Sequence, residues 1–358
     1  MMATCEYDLT AIRQAIDTID DQLLVLINER MKLVQQVGAV KHSSGGAIYR
    51  PEREKSIINR LSTANNGPLT SDGIEAIFLE IFSVARNLEL PERVAFLGPL
   101  GTFTHQAAES RFGATGDFLP MNTIASVFKA VETGQAKYGV VPVENNTQGI
   151  VPETLDLLGS SPLKIVAEFS MPIHHSLAST SDSLSQITKI YSKDIAIRQC
   201  HLFLEEHGLD SVELIPTEST SKAAKLAKNE PHSAAICPHI AAKLYHVPIL
   251  FDKIEDSETN TTRFLVISNF KNSISGDDKS TFLARIGDEP GALVNFLKDF
   301  QEASINLTKI ESRPSKGEGF SYLFYLDCEG HIDDAPLARV FERHQADLVW
   351  LGSYPKGV

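Results

Sequence analysis

The sequence lacks a long apolar run, contains few cysteines and carries an excess of negative charge. Its densest apolar run, at residues 23–27, is far too short to span a bilayer or to form a signal core. The 4 cysteines show no C-x-x-C spacing, which argues against zinc ribbons, redox motifs and a disulfide framework. A net charge of −13 disfavours nucleic acid and acidic membranes as partners. We therefore expect a soluble, cytoplasmic protein with no nucleic-acid or membrane partner.

The length of 358 residues suits two or three domains. Apolar residues recur at helical spacing over residues 8–41, a loop is expected from Ser43, and two more helices follow, the second at 71–88. Short apolar strands then alternate with helices, which is typical of an α/β domain. The last part has the βαββαβ order of a ferredoxin-like domain. We predict a multidomain protein: an all-α domain at 1–91, an α/β domain at 92–270, a linker at 271–279 and a ferredoxin-like domain at 280–358.

Three cations of the first helix are candidates for binding an anion. Arg30 and Lys41 are eleven residues apart, about three turns, and so share a face. Arg13 lies seventeen residues before Arg30, about 25 Å along the axis, and cannot join that site within one chain. A second, antiparallel chain would have to supply it, which suggests a dimer. The alternative is that these side chains form a solvated helix face.

The segment Y-R-P-E-R-E at residues 49–54 follows these cations. Together they resemble the all-helical chorismate mutases, in which Y-x-P-x-R-E opens the second helix, and the resemblance covers residues 6–90. It implies that Arg30 and Arg13 of a second copy bind the two carboxylates of chorismate. Lys41 would reach a carboxylate and the ether oxygen.

The same resemblance assigns the other end of the substrate. Glu54 would hold the ring hydroxyl with support from Arg53, and Arg50, where part of the family has Asp, is counted among the substrate-binding residues. The reaction is pericyclic, so that placed charges and hydrogen-bond donors suffice without a nucleophile or cofactor. Glu89 occupies the position of a Gln that donates to the ether oxygen in some members. Since an ionised carboxylate cannot donate, Glu89 would have to carry a proton, and we predict that mutase activity rises at acidic pH.

The α/β region contains a Gly-rich turn, G-P-L-G-T-F-T at residues 98–104, between a strand and a helix. Such a turn can offer backbone N–H groups to an anion, although an ordinary tight turn has the same pattern. V-P-V-E-N at 141–145, Gln199, E-S-T at 218–220 and T-R-F at 262–264 follow in order.

Taken together, these segments resemble the prephenate dehydratase family over about residues 93–270. The resemblance implies two α/β lobes with a cleft between them, similar to type II periplasmic binding proteins. Thr262 would donate a hydrogen bond or proton to the departing ring hydroxyl, and Arg263 would lie near a substrate carboxylate. The other substrate-binding residues implied are Glu144, Asn145, Gln199 and Glu218, with Thr102 and Ser219 as hydroxyl donors.

The histidines and cysteines show no metal-ligand spacing, so we predict no metal and no cofactor. His174 and His175 resemble a family segment near the lobe crossover, and we interpret them as structural.

Two motifs of the last domain resemble the effector motifs of ACT domains attached to prephenate dehydratases. They are P-G-A-L at residues 290–293 and E-S-R-P at 311–314. The resemblance implies phenylalanine as the effector, bound between paired domains so that the dehydratase cleft closes. The effector residues implied are Gly291, Ala292, Leu293, Glu311, Ser312 and Arg313.

The resemblances together imply a bifunctional enzyme of phenylalanine biosynthesis, a homodimer or higher homo-oligomer. It would convert chorismate to prephenate and prephenate to phenylpyruvate, with inhibition by phenylalanine. One alternative is an amino-acid-binding regulator without activity, against which Thr262 and the mutase cations argue. Another is the use of arogenate, although fusion to a mutase, whose product is prephenate, favours prephenate.

Overall fold

The computed structural model describes residues 8–44, 49–89, 92–257, 259–314 and 322–357. Three helices come first: α1 (Leu9–Ser44), α2 (Pro51–Ala64) and α3 (Ser71–Glu89). α1 continues past Ser43, where we expected a loop, and its 36 residues extend for about 54 Å. Residues 9–29 of α1 are all exposed in the single chain, and burial begins at Arg30, where α1 packs on α3.

The middle of the chain folds into two α/β lobes. Its elements are β1 (Arg93–Leu97), α4 (Phe103–Phe112), β2 (Asp117–Met121), α5 (Ile124–Glu132), β3 (Tyr138–Asn145), β4 (Gly149–Ile150), α6 (Pro152–Ser160), β5 (Lys164–Pro172), β6 (Ser176–Ser179), a 3₁₀ turn (Leu184–Gln186), β7 (Lys189–Ser192), α7 (Asp194–Arg198), α8 (His201–Glu206), β8 (Glu213–Pro216), α9 (Thr220–Asn229), β9 (Ser233–Cys237), α10 (His239–Tyr245), β10 (Ile249–Phe251) and β11 (Thr261–Ser268).

Each lobe is built on one sheet. The first sheet has six strands in the order β2-β1-β3-β11-β5, with β4 paired to β3, and the second has five in the order β10-β6-β9-β7-β8. The chain enters the second lobe after β5 and returns at β11, which lies between β3 and β5. The start of β11 therefore lies at the crossover between the lobes.

The C-terminal part has the predicted βαββαβ order. Its elements are β12 (Asp278–Ile286), α11 (Ala292–Glu302), β13 (Leu307–Pro314), β14 (Tyr322–Glu329), α12 (Ala335–Arg343) and β15 (Leu348–Pro355). They form an antiparallel sheet in the order β13-β14-β12-β15. β12 begins inside the stretch that we expected to be a linker, and Asn272 in that stretch is buried. Its Nδ2 donates to the backbone oxygens of Val166 and Ser353, so this stretch fastens the C-terminal domain to the first lobe.

Apolar packing joins the three parts of the chain. Leu283 and Tyr354 of the C-terminal domain belong to the same buried cluster as Ile165 and Leu265 of the first lobe. Tyr49, just before α2, is fully buried against Phe112 and Tyr138 of the first lobe.

Three of the cysteines, Cys200, Cys237 and Cys328, are buried as small apolar residues, whereas Cys5 lies outside the described residues. Within the described ranges, no helix is both long and apolar enough to cross a membrane.

Candidate active sites

A groove between the three N-terminal helices collects most of the residues predicted for the mutase reaction. The cavity has a volume of about 290 Å³. Its polar lining consists of Arg30, Arg50, Arg53, Glu54, Arg86 and Glu89, and its apolar lining of Leu33, Val34, Val37, Ile57, Phe82 and Ala85. A cationic groove with apolar walls suits a small anion that contains a ring.

Arg30 has a buried guanidinium nitrogen in this groove. Its guanidinium carbon lies 5.5 Å from the centroid of the Phe82 ring, and its buried Nη1 has no hydrogen-bond partner among the described residues. Burial lowers the pKa of Arg30, and the charge of Glu54 opposes that shift. A buried N–H without a partner costs free energy, which an anionic ligand in the groove would recover.

Arg86 is a groove residue that was not predicted from the sequence. Its Nη1 forms an ion pair with Glu54, and its Nη2 donates to the backbone oxygen of Phe112 at 2.9 Å. Both side chains of the ion pair are largely buried. Arg86 therefore holds the predicted hydroxyl-binding carboxylate and links it to the first α/β lobe. Its position four residues after Phe82, on the buried face of α3, was the available signal.

Two predicted mutase residues are not among the described residues that line this groove. Arg13 is exposed on α1 and does not line the cavity. Lys41 lies in α1, but its side chain is outside the part of the structure that is described.

A larger cleft lies between the two α/β lobes and has a volume of about 510 Å³. It is lined by six of the predicted dehydratase residues, Thr102, Asn145, Gln199, Glu218, Ser219 and Thr262. Asn145 and Thr262 face each other on the neighbouring strands β3 and β11.

A hydrogen bond joins this pair. Asn145 Nδ2 donates to Thr262 Oγ1 at 2.9 Å, while Asn145 Oδ1 accepts from the backbone N–H groups of Thr147 and Gln148, both at 3.0 Å. These bonds fix the orientation of the amide. Since the hydroxyl oxygen of Thr262 accepts from Asn145, its own hydrogen remains available to a ligand in the cleft.

Two helices begin at the cleft, one from each lobe. Thr102 caps α4 by accepting from His105 N, and Ser219 caps α9 by accepting from Lys222 N. The first turn of a helix carries a partial positive charge that favours an anion. Both hydroxyls are therefore already engaged as helix caps. They contribute to an anion site by fixing where these two helices begin.

Two residues of the second lobe face each other across a hydrogen bond. His175 Nε2 lies 3.0 Å from Gln199 Oε1, and His175 is 2% exposed. Burial lowers the pKa of His175, which favours a neutral ring that donates from Nε2 to the Gln199 oxygen. The NH₂ group of Gln199 is then the donor that remains for a ligand.

The interpretation of both histidines as structural fits His174, which pairs with Glu255 at 2.6 Å. It is incomplete for His175, which lines the cleft. Lys193 was also not predicted from the sequence. It is the only lysine or arginine among the described residues that line the cleft. Glu218 lies at the exposed rim, paired with Lys222 at 3.0 Å.

The structure corrects the predicted positions of Glu144 and Arg263, which do not line the cleft. Residues alternate between the two faces of a strand, so the neighbours of Asn145 and Thr262 point to the opposite face of the sheet. There Arg263 lies 3.3 Å from Glu144, 2.8 Å from Glu168 and 3.1 Å from Asp327.

The effector motifs occupy two separate places in one chain. Gly291, Ala292 and Leu293 line a hollow of about 190 Å³ that also contacts Tyr322 and Phe324. Gly291 has a φ of +88°, a left-handed conformation that favours glycine.

The second effector motif lies on β13. Glu311 faces a cavity at the boundary with the first lobe, Ser312 is exposed, and Arg313 lies 3.5 Å from Asp156 of α6. Within one chain, the structure does not bring the two motifs into one cavity.

Comparison with known proteins identifies relatives for both sites. The family model for chorismate mutase type II matches residues 12–90, and that for prephenate dehydratase matches residues 94–272. A bifunctional chorismate mutase/prephenate dehydratase from Aquifex aeolicus (strain VF5) is 41% identical over 98% of this chain and 99% of its own length.

Two solved structures resemble the part that follows the mutase helices. Prephenate dehydratase from Arthrobacter aurescens in complex with L-Phe is 33% identical, with a TM-score of 0.66 over 74% of this chain and 90% of that one. GqqA, described as a novel type of quorum quenching acylase, is 28% identical, with a TM-score of 0.66 over 74% of this chain and 97% of that one.

Proposed function

Since this chain belongs to the family of bifunctional chorismate mutase/prephenate dehydratases, we propose that its helical groove and its interlobe cleft divide the two reactions between them. The enzyme rearranges chorismate to prephenate and converts prephenate to phenylpyruvate in phenylalanine biosynthesis. The assignment of individual residues below is our proposal.

The groove binds chorismate through charge. Arg30 pairs with one carboxylate through its buried, unpartnered N–H, and Glu54, held by Arg86, accepts from the ring hydroxyl. Arg53 and Arg50 add positive charge at the same wall, and Glu89 donates to the ether oxygen when it carries a proton. The pericyclic step needs only a compact conformer and stabilisation of charge on the breaking bond. Lys41 is retained as a further cation for that oxygen.

The cleft eliminates carbon dioxide and the ring hydroxyl from prephenate. The observation that carries this proposal is the Asn145–Thr262 hydrogen bond, because it leaves the Thr262 hydrogen free in the cleft. As the C–CO₂ bond breaks, its electron pair enters the ring and the C–OH bond breaks. The departing oxygen takes a proton and leaves as water. Aromatisation supplies the driving force, so a hydroxyl donor is enough assistance.

The other cleft residues orient the substrate. The carboxylates of prephenate would lie in a space surrounded by four groups. These are the N-termini of the helices capped by Thr102 and Ser219, the Gln199 amide and Lys193. Glu218 is exposed at the rim, where it contacts the substrate as the substrate enters the cleft.

Phenylalanine is the proposed effector of the C-terminal domain. A relative of known structure is described in complex with L-Phe, and Gly291 gives a ligand close access to the backbone of this hollow. Because Glu311, Ser312 and Arg313 lie elsewhere in the same chain, we assign the complete effector site to two copies of the domain. Binding would then stabilise the arrangement with a closed dehydratase cleft.

A dimer is also proposed for the mutase site. α1 exposes large apolar side chains along its free half, among them Ile12, Ile16, Ile19 and Leu23, at 39%, 50%, 54% and 50%. Covering this stripe with α1 of a second copy would remove apolar area from water and bring Arg13 of that copy toward the groove. The dimer is assigned to the cytoplasm.

The proposed function is tested with purified protein and chorismate, with and without phenylalanine, while prephenate and phenylpyruvate are followed separately. We expect prephenate to appear first, phenylpyruvate to follow, and phenylalanine to slow the second step. Binding of phenylalanine without any phenylpyruvate would instead support the regulator alternative. Arogenate supplied as a competing substrate tests the other alternative.

A further inference from the structure

Lys309 of the C-terminal domain contacts the dehydratase strand pair from behind. It lies on β13, and its Nζ forms an ion pair with Oε2 of Glu144. The same Glu144 oxygen lies 3.3 Å from Nη2 of Arg263. In the register of β3 and β11, Thr262 pairs with Asn145 and Arg263 with Glu144. One pair of opposed residues therefore faces the cleft, and the next pair faces the C-terminal domain.

These contacts belong to a charge cluster of six residues: Arg263, Lys279, Lys309, Glu144, Glu168 and Asp327. Lys279 Nζ lies 2.8 Å from Glu168 and 2.9 Å from Asp327, while Arg263 contacts all three carboxylates. The three positive charges balance the three negative charges. Each of the six side chains is at most 35% exposed. Removal of one member would leave one poorly solvated charge of the cluster uncompensated.

The protonation states agree with this balance. Burial alone would lower the pKa of Arg263, but Glu168 and Asp327 raise it overall. Burial alone would raise the pKa of Glu144, but Lys309 and Arg263 lower it overall. The Glu144 carboxylate is therefore ionised at neutral pH, where it contacts Lys309 and Arg263.

The sheet itself is irregular where the cluster supports it. The pairing of β11 with β3 shifts between Arg263 and Phe264, which opposes Pro142. Proline has no N–H to donate to the sheet, and a bulge locally interrupts the ladder. The position of the Asn145–Thr262 pair is thus set only in part by backbone hydrogen bonds.

We propose that Lys309 is a positioning residue of the dehydratase site. By fixing Glu144, and through it Arg263, it holds the rear of the two strands whose front carries Asn145 and Thr262. The C-terminal domain then supports the dehydratase site from behind, although the described lining of the cleft comes from the two lobes. Since Lys309 is two residues before Glu311 on the same strand, movement of β13 would alter this contact directly. The inference rests on the proposed role of Thr262.

The test is Lys309→Met in the full chain, with prephenate as the substrate. We expect kcat to fall by about 10-fold or more while KM changes little, because the reacting group is misplaced and substrate contacts remain. Mutase activity of the same protein should stay at the wild-type level. Lys309→Arg, which keeps the charge and the reach to Glu144, should restore most of kcat.

Lys164→Met is the matched control. Lys164 also joins the first lobe to the C-terminal domain, since its Nζ donates to the Trp350 oxygen at 2.8 Å and lies 5.0 Å from the Trp350 ring centroid. It is not a member of the charge cluster. We expect this variant to keep the wild-type dehydratase kcat, which would separate positioning of the strand pair from general weakening of the interface.

A double variant makes the test independent of the folding of Lys309→Met. In Glu144→Gln/Lys309→Met no charge is left without a partner, and the amide oxygen introduced in place of the Glu144 carboxylate can still accept from Arg263. We expect its kcat to lie within about threefold of the wild type. Complete loss of dehydratase activity in a folded, mutase-active double variant would overturn the inference, since Glu144 would then act on the substrate itself.

The outcome is distinguishable from failure of the proposed function. If Thr262→Ala is inactive and Lys309→Met has normal kcat, only the positioning role is wrong. If Thr262→Ala retains full activity, the proposed catalytic role is wrong whatever the Lys309 variants show.

Discussion

Gly38 of α1 lies directly against Glu89 of α3. A Cβ at position 38 would stand 2.7 Å from Cγ of Glu89 and 3.5 Å from its Cα, so only a residue without a side chain permits this approach. Glycine within a helix costs about 1 kcal/mol relative to alanine. The close contact explains why glycine stands at position 38, because it holds Glu89 at the wall of the mutase groove.

Gly38→Ala should therefore lower mutase activity without a matching loss of stability. The added methyl group displaces Glu89, and a shift of about 1 Å in a reacting group can cost up to about 100-fold in rate. Helix propensity favours alanine, which offsets part of the strain. Mutase kcat/KM and the thermal midpoint would be measured together. Gly73→Ala, in α3 but outside the groove lining, is the control and should leave kcat/KM unchanged.

Glu89→Gln should raise mutase activity at neutral pH and flatten its pH profile. An amide donates to the ether oxygen without needing a proton, whereas a carboxylate must first be protonated. Mutase rates from mildly acidic to neutral pH would be compared for both proteins. A wild-type profile that is already flat, or one that the substitution leaves unchanged, would contradict the role of Glu89.

Arg86→Met should impair the mutase and spare the dehydratase. It leaves Glu54 without its ion-pair partner and removes the contact with the Phe112 oxygen. Breaking a buried ion pair in this way costs about 3–5 kcal/mol. We expect a lower thermal midpoint and a higher mutase KM, with normal dehydratase kcat at temperatures where the protein is folded. Equal loss of both activities would show that Arg86 only holds the domains together.

His175 should make stability depend on pH below neutrality. Burial lowers its pKa in the folded state, so between that value and about 6.5 the unfolded chain binds more protons. Stability is therefore present at neutral pH and lost as the pH falls, by at most about 1.4 kcal/mol per pH unit for this one group. Glu255 opposes the shift and His174 adds to it.

The measurement is urea unfolding at pH 7.5 and 5.5 for the wild type and His175→Gln. Glutamine keeps a donor near the position of Nε2 but does not titrate. The free energy of unfolding should therefore differ less between pH 7.5 and 5.5 in the variant than in the wild type. An unchanged difference would assign the acid sensitivity to other groups, such as His105, whose pKa burial also lowers.

The helices and the βαββαβ order were predictable because they depend on local periodicity. The 3.6-residue spacing of apolar side chains defines α1 to α3, and alternating short strands and helices define the lobes. The structured part of the predicted linker depends on contacts that a local sequence pattern does not record. Asn272, for example, is ordered by two backbone oxygens far away in the sequence.

The sequence motifs predicted which strands line the cleft, but adjacent residues of one strand were wrongly assigned to the same face. Asn145 and Thr262 line the cleft, but Glu144 and Arg263 are adjacent to them and must point away. The alternation of side chains along a strand would have been enough to predict this from the sequence. Arg86, His175 and Lys193 depend on which elements pack together, so their roles required the structure.

The most direct test of the account is the rate of phenylpyruvate formation by Thr262→Ala, with Thr262→Ser as the control. If the Thr262 hydroxyl assists the departing ring hydroxyl, Thr262→Ala should lose about 10²–10⁴-fold in dehydratase kcat and keep its mutase activity. Thr262→Ser, which retains a hydroxyl, should keep much of the rate. A Thr262→Ala protein that forms phenylpyruvate at the wild-type rate would contradict the account.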